Sequence, residues 1–145
     1  MNKGKKIWIA LFFALTLLVV LSGCSGLPKT AKINIAIDPN PAPYDAENEG
    51  WWYYVTFSES NGVGVTLIIL RFDGYNQAEE LVYTDIYYEE DIIDWFESNY
   101  IPAFSTLSDW VWHTGTNKYT ILTVAGIDDN DNPIEATGRI DFLPQ

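Results

Sequence analysis

The densest collection of potential metal ligands in the chain is Asp128-Asp129-Asn130-Asp131-Asn132. Calcium takes roughly six to eight oxygen ligands, and closely spaced Asp and Asn side chains supply several of them. Asp128, Asn130 and Asn132 alternate as the opening ligands of a calcium loop do. The pattern then breaks. Pro133 stands where such a loop needs glycine, and Arg139 where it needs a bidentate carboxylate. Asp128, Asn130, Asp131 and Asn132 are thus candidate calcium ligands, set against an ordinary hairpin turn in which Asp and Asn cap their own backbone. A second acidic run, Glu89-Glu90-Asp91 with Asp94 and Glu97, offers a docking place for a cation or basic partner, or a plain solvated face.

Nucleophilic chemistry has little to work with. A single cysteine and a single histidine exclude a disulfide or a Cys/His zinc cluster within the chain. The sole thiol–imidazole pair is Cys24 with His113, and Cys24 has a better explanation at the N-terminus. Gly62-Val63-Gly64 lacks the third glycine and the following helix of a phosphate loop, so it reads as hairpin or bulge chemistry. The chain is expected to be non-enzymatic, with no cofactor other than the calcium considered above.

Aromatic residues make up 15% of the chain. In Trp51-Trp52-Tyr53-Tyr54 the period of two sends one pair to each face of a strand. Val55 and Phe57 continue the inward set, so Trp51 and Tyr53 point in and Trp52 and Tyr54 point out. Exposed rings of this kind suit stacking on sugars, which makes Trp52 and Tyr54 candidate ligand-binding residues. Trp110 and Trp112 also share a face and are expected in the core.

The elements that carry these residues follow from composition and pattern. The 145 residues are 48% hydrophobic and 19% charged, a composition that folds. The net charge of −12 repels phosphate backbones, so no nucleic-acid partner is expected. Ile33, Ile35 and Ile37 alternate with polar neighbours, as do Ile134, Ala136, Gly138, Ile140 and Phe142. Residues 51–58, 63–72, 81–87, 107–113 and 119–127 supply further strands, and Asp73-Gly74 is read as a turn. Residues 68–70 are apolar in succession, which marks a central strand covered on both faces. Glu89–Phe96 reads as one or two helical turns, with acids in its first turn where the helix dipole favours them. About seven short strands with frequent turns make an all-β, two-layer antiparallel sandwich.

At the N-terminus Lys3, Lys5 and Lys6 precede fifteen residues, Ile7 to Leu21, broken only by Thr16. That run spans about 22 Å as a helix, short of a bilayer core, and fits a secretory leader better than a membrane span. Leu21-Ser22-Gly23-Cys24 follows and resembles the lipobox of bacterial lipoproteins. The resemblance implies cleavage before Cys24 and lipidation of its thiol (palmitate-type chains), an uncleaved anchor being the alternative. Residues 1–23 would be the signal peptide, 24–31 the lipidated Cys with a short tether, and 32–145 the folded domain. The expected place is the bacterial cell envelope, on the extracytoplasmic side of an outer membrane or at the cell surface.

Tyr119 to Pro133 is similar to strand F and the F–G hairpin of immunoglobulin-like and fibronectin-III-like domains. Tyr119 would then be the corner tyrosine whose hydroxyl bonds back to upstream backbone. Thr123 departs from the pattern at a position that is usually apolar. The resemblance implies an Ig-like module, and the leading expectation is a lipid-anchored binding or adhesion domain for an envelope protein or glycan. A carbohydrate-binding accessory module and a structural subunit of an envelope complex are the alternatives.

Overall fold

The computed structural model describes residues 29–145. The leader and the Leu21-Ser22-Gly23-Cys24 motif lie outside the described residues. Ile33–Asp38 forms β1, and its three isoleucines face inward as their alternation predicts. Pro39 and Pro41 then deny the edge its amide donors, and the chain rejoins the same line as the short β2(Tyr44–Asp45). Both strands pair with one edge of β3(Gly50–Glu59), and β7(Thr106–His113) pairs with its other edge. The second sheet runs β5(Leu81–Tyr88), β4(Val65–Tyr75), β8(Tyr119–Asp128), β9(Pro133–Asp141). A two-residue β6(Tyr100–Ile101) extends the β5 side of β4. Every named pairing is antiparallel.

Trp51, Tyr53, Val55 and Phe57 of the first sheet pack over Leu67, Leu70, Leu122, Val124 and Ile140 of the second. Each set is spaced by two except at one place. The β4–β8 register slips between Leu67 and Ile69, so Ile68 is the extra residue of a bulge and the inward face changes parity. This corrects the reading of residues 68–70: their consecutive apolarity marks the parity switch, and Ile68 and Ile69 are half-buried.

The open edge between β5 and β7 is closed by the helix α1(Glu89–Phe96), which buries Ile92 and Phe96 at the i, i+4 spacing. Its acids fall in the first turn, and the Asp91 carboxylate accepts the Tyr88 backbone N–H at 3.0 Å. Asp73-Gly74 is a second correction. Both residues lie inside β4, and the chain turns later, at Asn76–Glu80, where Asn76 Oδ1 accepts the amides of Ala78 and Glu80. Gly74 is small because the Tyr83 ring crosses the strand where a Cβ would stand.

Two carboxylates fasten the pole where the chain enters the domain. Glu59 accepts backbone N–H groups from Lys32, Asn61, Gly62 and Phe104 at 2.7–3.1 Å. Burial alone would raise its pKa, but the four amides override it and hold the group at about 2. The stabilisation is therefore complete above the ordinary value of 4.5 and is lost as pH falls towards about 2. Glu59→Gln is expected to cost about 2 kcal/mol at neutral pH, because charge-assisted bonds to four amides are weakened together. Urea denaturation at several pH values measures it. A gap between the two proteins that fails to narrow below pH 4.5 refutes the assignment.

Candidate functional site

The register of β3 on β7 sets the site. Trp52 lies directly opposite Trp112, and Tyr54 opposite Trp110, all four on the outer face of the first sheet. Directly opposed side chains on one face are close enough to pack as pairs. The Trp52 and Trp112 rings stack with centroids 5.5 Å apart and planes 12° apart. Tyr54 meets Trp110 edge to face at 5.3 Å, and its hydroxyl shares a 3.0 Å hydrogen bond with Ser108. The outward expectation for Trp52 and Tyr54 matches this geometry. Trp110 and Trp112 do not occupy the core. Val111 and His113 take β7's inward positions, and the parity of the strand puts both tryptophans outside.

Helix α1 brings a fourth tryptophan. Burial of Ile92 and Phe96 turns Trp95 sideways, against the Tyr87 ring at 4.4 Å and over the edge of β7. Trp52, Trp95, Trp110 and Trp112, with Val111, line one open hollow of about 350 Å³. The indoles remain 39%, 36%, 58% and 48% exposed in that order. Sequence reasoning missed Trp95. The signal was available in the helical spacing, which leaves position 95 beside the buried stripe rather than in it.

Electrostatics separate this face from the rest of the domain. Arg71 pairs with Asp73 and Arg139 with Asp141, both on the second sheet, while Lys118 reaches Glu79 near the β4–β5 turn. Lys29 and Lys32 sit at the entry pole. No cation lines the hollow. Asp94 and Asp109 adjoin two of its tryptophans in the chain, and the Asp109 carboxylate accepts the Trp110 backbone N–H at 2.7 Å.

The other candidates resolve differently. Asp128 is buried and accepts N–H groups from Ala31, Asn130 and Asn132 at 2.9 Å, besides the Asn132 amide. Burial opposes ionisation there, yet these bonds pull its pKa below the usual range. The Asn130 amide donates to the Lys29 carbonyl at 2.7 Å, and Asp129 accepts the Tyr100 hydroxyl at 3.0 Å. Asp131 adopts the left-handed conformation of a turn. Asp128, Asn130, Asp131 and Asn132 thus build a hairpin in which the Asp128 oxygens are spent on amide donors and the Asn130 and Asn132 side chains themselves donate. Among the described residues no three acidic, His or Cys groups converge as metal ligands, the run at Glu89–Glu97 included.

His113 lies inside the sandwich, stacked on Phe142 at 4.9 Å and on Tyr83 at 5.5 Å. The Asn117 amide nitrogen donates to Thr120 Oγ1, which leaves its Oδ1 to accept the His113 Nε2–H at 2.7 Å. Burial pushes the imidazole pKa down, against the opposing bond to Asn117. The Tyr83 hydroxyl completes the cluster at 2.7 Å from Thr120 Oγ1. This is an interior polar network. Nearby, the fully buried Tyr53 hydroxyl has no hydrogen-bond partner among the described residues. Tyr119 is not a corner tyrosine. It sits on the outer face of β8 beneath Arg139, whose guanidinium lies 3.8 Å from its ring centroid, and stacks on Tyr75. Thr123 shares that outer face, which explains its polarity.

No family model matches the sequence, and no curated protein matches it. Solved structures do. A Bordetella pertussis protein given the name ApaA superposes with a TM-score of 0.53 at 11% identity, covering 81% of this chain and 98% of that one. The CARDB domain of a Pyrococcus furiosus protein, in complex with di-metal ions, gives 0.42 at 13% identity, over 83% and 97% of the two chains. The fold is an immunoglobulin-like β-sandwich. At such identities the likeness concerns the sandwich alone, with three strand lines in one layer and four in the other.

Proposed function

We propose that this protein is a cell-envelope lipoprotein, held by acyl chains on Cys24 at the extracytoplasmic face, whose sandwich acts as a non-enzymatic binding module. The binding surface is the tryptophan-lined hollow on the outer face of β3 and β7. The observation that carries this reading is the convergence of four half-exposed indoles on one hollow. A monomeric domain rarely leaves so much contiguous aromatic surface in water without a use for it. The partner is a component of the envelope, protein or glycan. A flat polysaccharide platform is the weaker version, because Trp52 and Trp112 stack on each other rather than lying coplanar. The anchor rests on the lipobox resemblance and on acyl-chain energetics, since two or more chains hold a protein durably.

One set of variants tests both halves. Cys24→Ala is expected to move the full chain from the membrane fraction to the soluble fraction, and a variant that stays membrane-bound defeats the anchor. The paired change Trp52→Ala with Trp110→Ala is expected to lower retention on isolated envelope material at least about tenfold, the loss of two aromatic contacts. Unchanged retention defeats the binding surface. Melting temperature, expected to move little for exposed rings, controls for folding.

A further inference from the structure

The chemistry of the hollow narrows what it can hold. Four indole side chains line it, and Val111, whose side chain points into the core, contributes only backbone. Indole offers an N–H donor and no acceptor, so the four lining side chains receive none of a ligand's own N–H or O–H groups. A plain hydroxyl or a primary ammonium gains no hydrogen bond from these four side chains, and so draws less from them than a group with no donors of its own. An anion meets a chain of net charge −12 with no cation at the site. A positively charged group with an apolar skin escapes every one of these objections. The faces of indole rings carry negative potential, and Trp attracts cations more strongly than Tyr or Phe.

We infer that the hollow formed by Trp52, Trp95, Trp110 and Trp112 binds a quaternary, fully methylated ammonium group. The inference rests on the binding reading above and names its ligand class. Rings at different attitudes are needed to surround such a head, and the hollow has them. Trp52 and Trp112 form one stacked wall, Trp110 stands edge-on to Tyr54, and Trp95 closes from the helix. The net charge of −12, with no cation at the site, adds long-range attraction for such a group.

The experiment titrates the full lipidated chain, in a polyoxyethylene detergent, with choline and with tetramethylammonium, reading indole fluorescence and the indole N–H resonances. Expected is a saturable response in the millimolar range, as for a few cation–π contacts at a partly exposed site. The resonances of Trp52, Trp95, Trp110 and Trp112 should move, while that of the buried Trp51 stays. The decisive control is 3,3-dimethyl-1-butanol, which has the shape of choline without its charge and should bind at least about tenfold more weakly. Trp110→Ala should weaken choline about tenfold. Equal binding of the neutral alcohol overturns the inference. No response to choline, with envelope retention still dependent on Trp52 and Trp110, overturns the ligand class and leaves the binding surface standing. No response together with tryptophan-independent retention removes both. Phosphatidylcholine vesicles, compared with phosphatidylglycerol vesicles, then separate a lipid head from a free solute. Preference for the choline lipid, or for free choline alone, supports the class, and preference for the anionic lipid overturns it.

Discussion

Trp51→Ala is expected to cost about 4 kcal/mol of folding free energy, close to the top of the range for deleting a buried aromatic. Trp51 is 2% exposed and packs its ring against Tyr44 at 5.1 Å and Phe142 at 5.0 Å. Its Nε1–H donates to the Leu143 carbonyl at 3.0 Å, so the same side chain also fastens the segment after β9. Truncation therefore opens a cavity, orphans a carbonyl and frees the chain end together. With a total stability of roughly 5–15 kcal/mol for an ordinary domain, that loss leaves little margin. Urea denaturation of Trp51→Ala beside Trp52→Ala is the measurement. The neighbour faces outward, and its removal should cost less than about 1 kcal/mol. Similar losses at the two positions would mean that the inward–outward parity of β3 is wrong.

Gly126→Ala is expected to cost about 3 kcal/mol, although it adds a single methyl group. A Cβ at position 126 would overlap the Thr66 carbonyl oxygen and press on the Leu67 Cα at 3.1 Å. Both obstacles are backbone of the neighbouring central strand, and neither can rotate away. Overpacking against a side chain costs less, because a rotamer change relieves it. The glycine sits opposite Leu67, at the margin of the bulge that switches the parity of β4. It is the room that the bulge needs. Chemical denaturation measures the effect, and a near-neutral Gly126→Ala would refute the close approach of β4 and β8.

How much of this was legible follows from what each residue's pattern depends on. The parity of β1, β3 and β9 depends on their own alternation, so Ile33, Trp51 and Ile140 were placed inward from the sequence alone. The outward positions of Trp52 and Tyr54 follow by the same logic. Trp110 and Trp112 were misjudged because β7 offers two competing faces. One carries Trp110 and Trp112 and the other Leu107, Asp109, Val111 and His113, and the shared face of the two tryptophans does not say which side it is. The choice is made by the register against β3, a long-range property that local pattern does not contain. Ile68-Ile69-Leu70 misled for a related reason, since a bulge and a doubly covered strand produce the same local apolarity. Asp73-Gly74 looked like a turn, whereas the glycine serves a tyrosine ring on another strand. The roles of Glu59 and Asp128 were hidden because their partners are backbone amides, which every sequence contains.

The clamp at the entry pole has a mechanical meaning. Ala31 donates to Asp128 and Lys32 to Glu59 just before β1 begins. Beyond them β1 lies antiparallel to β3 through six residue pairs, from Ile33 opposite Glu59 to Asp38 opposite Tyr54. A pull on the N-terminal tether, with the far side held at Trp52 or Trp110, runs along these strands rather than across them. Within each ladder that the force crosses, β1–β3 alone for Trp52 and β3–β7 as well for Trp110, the bonds are loaded side by side, as a shear joint, and must fail together. Peeling, in which bonds yield one after another, is denied to the tether because the two carboxylates grip the first residues of the lever. A domain wired this way resists tension applied between Lys32 and the outer face of β3 and β7.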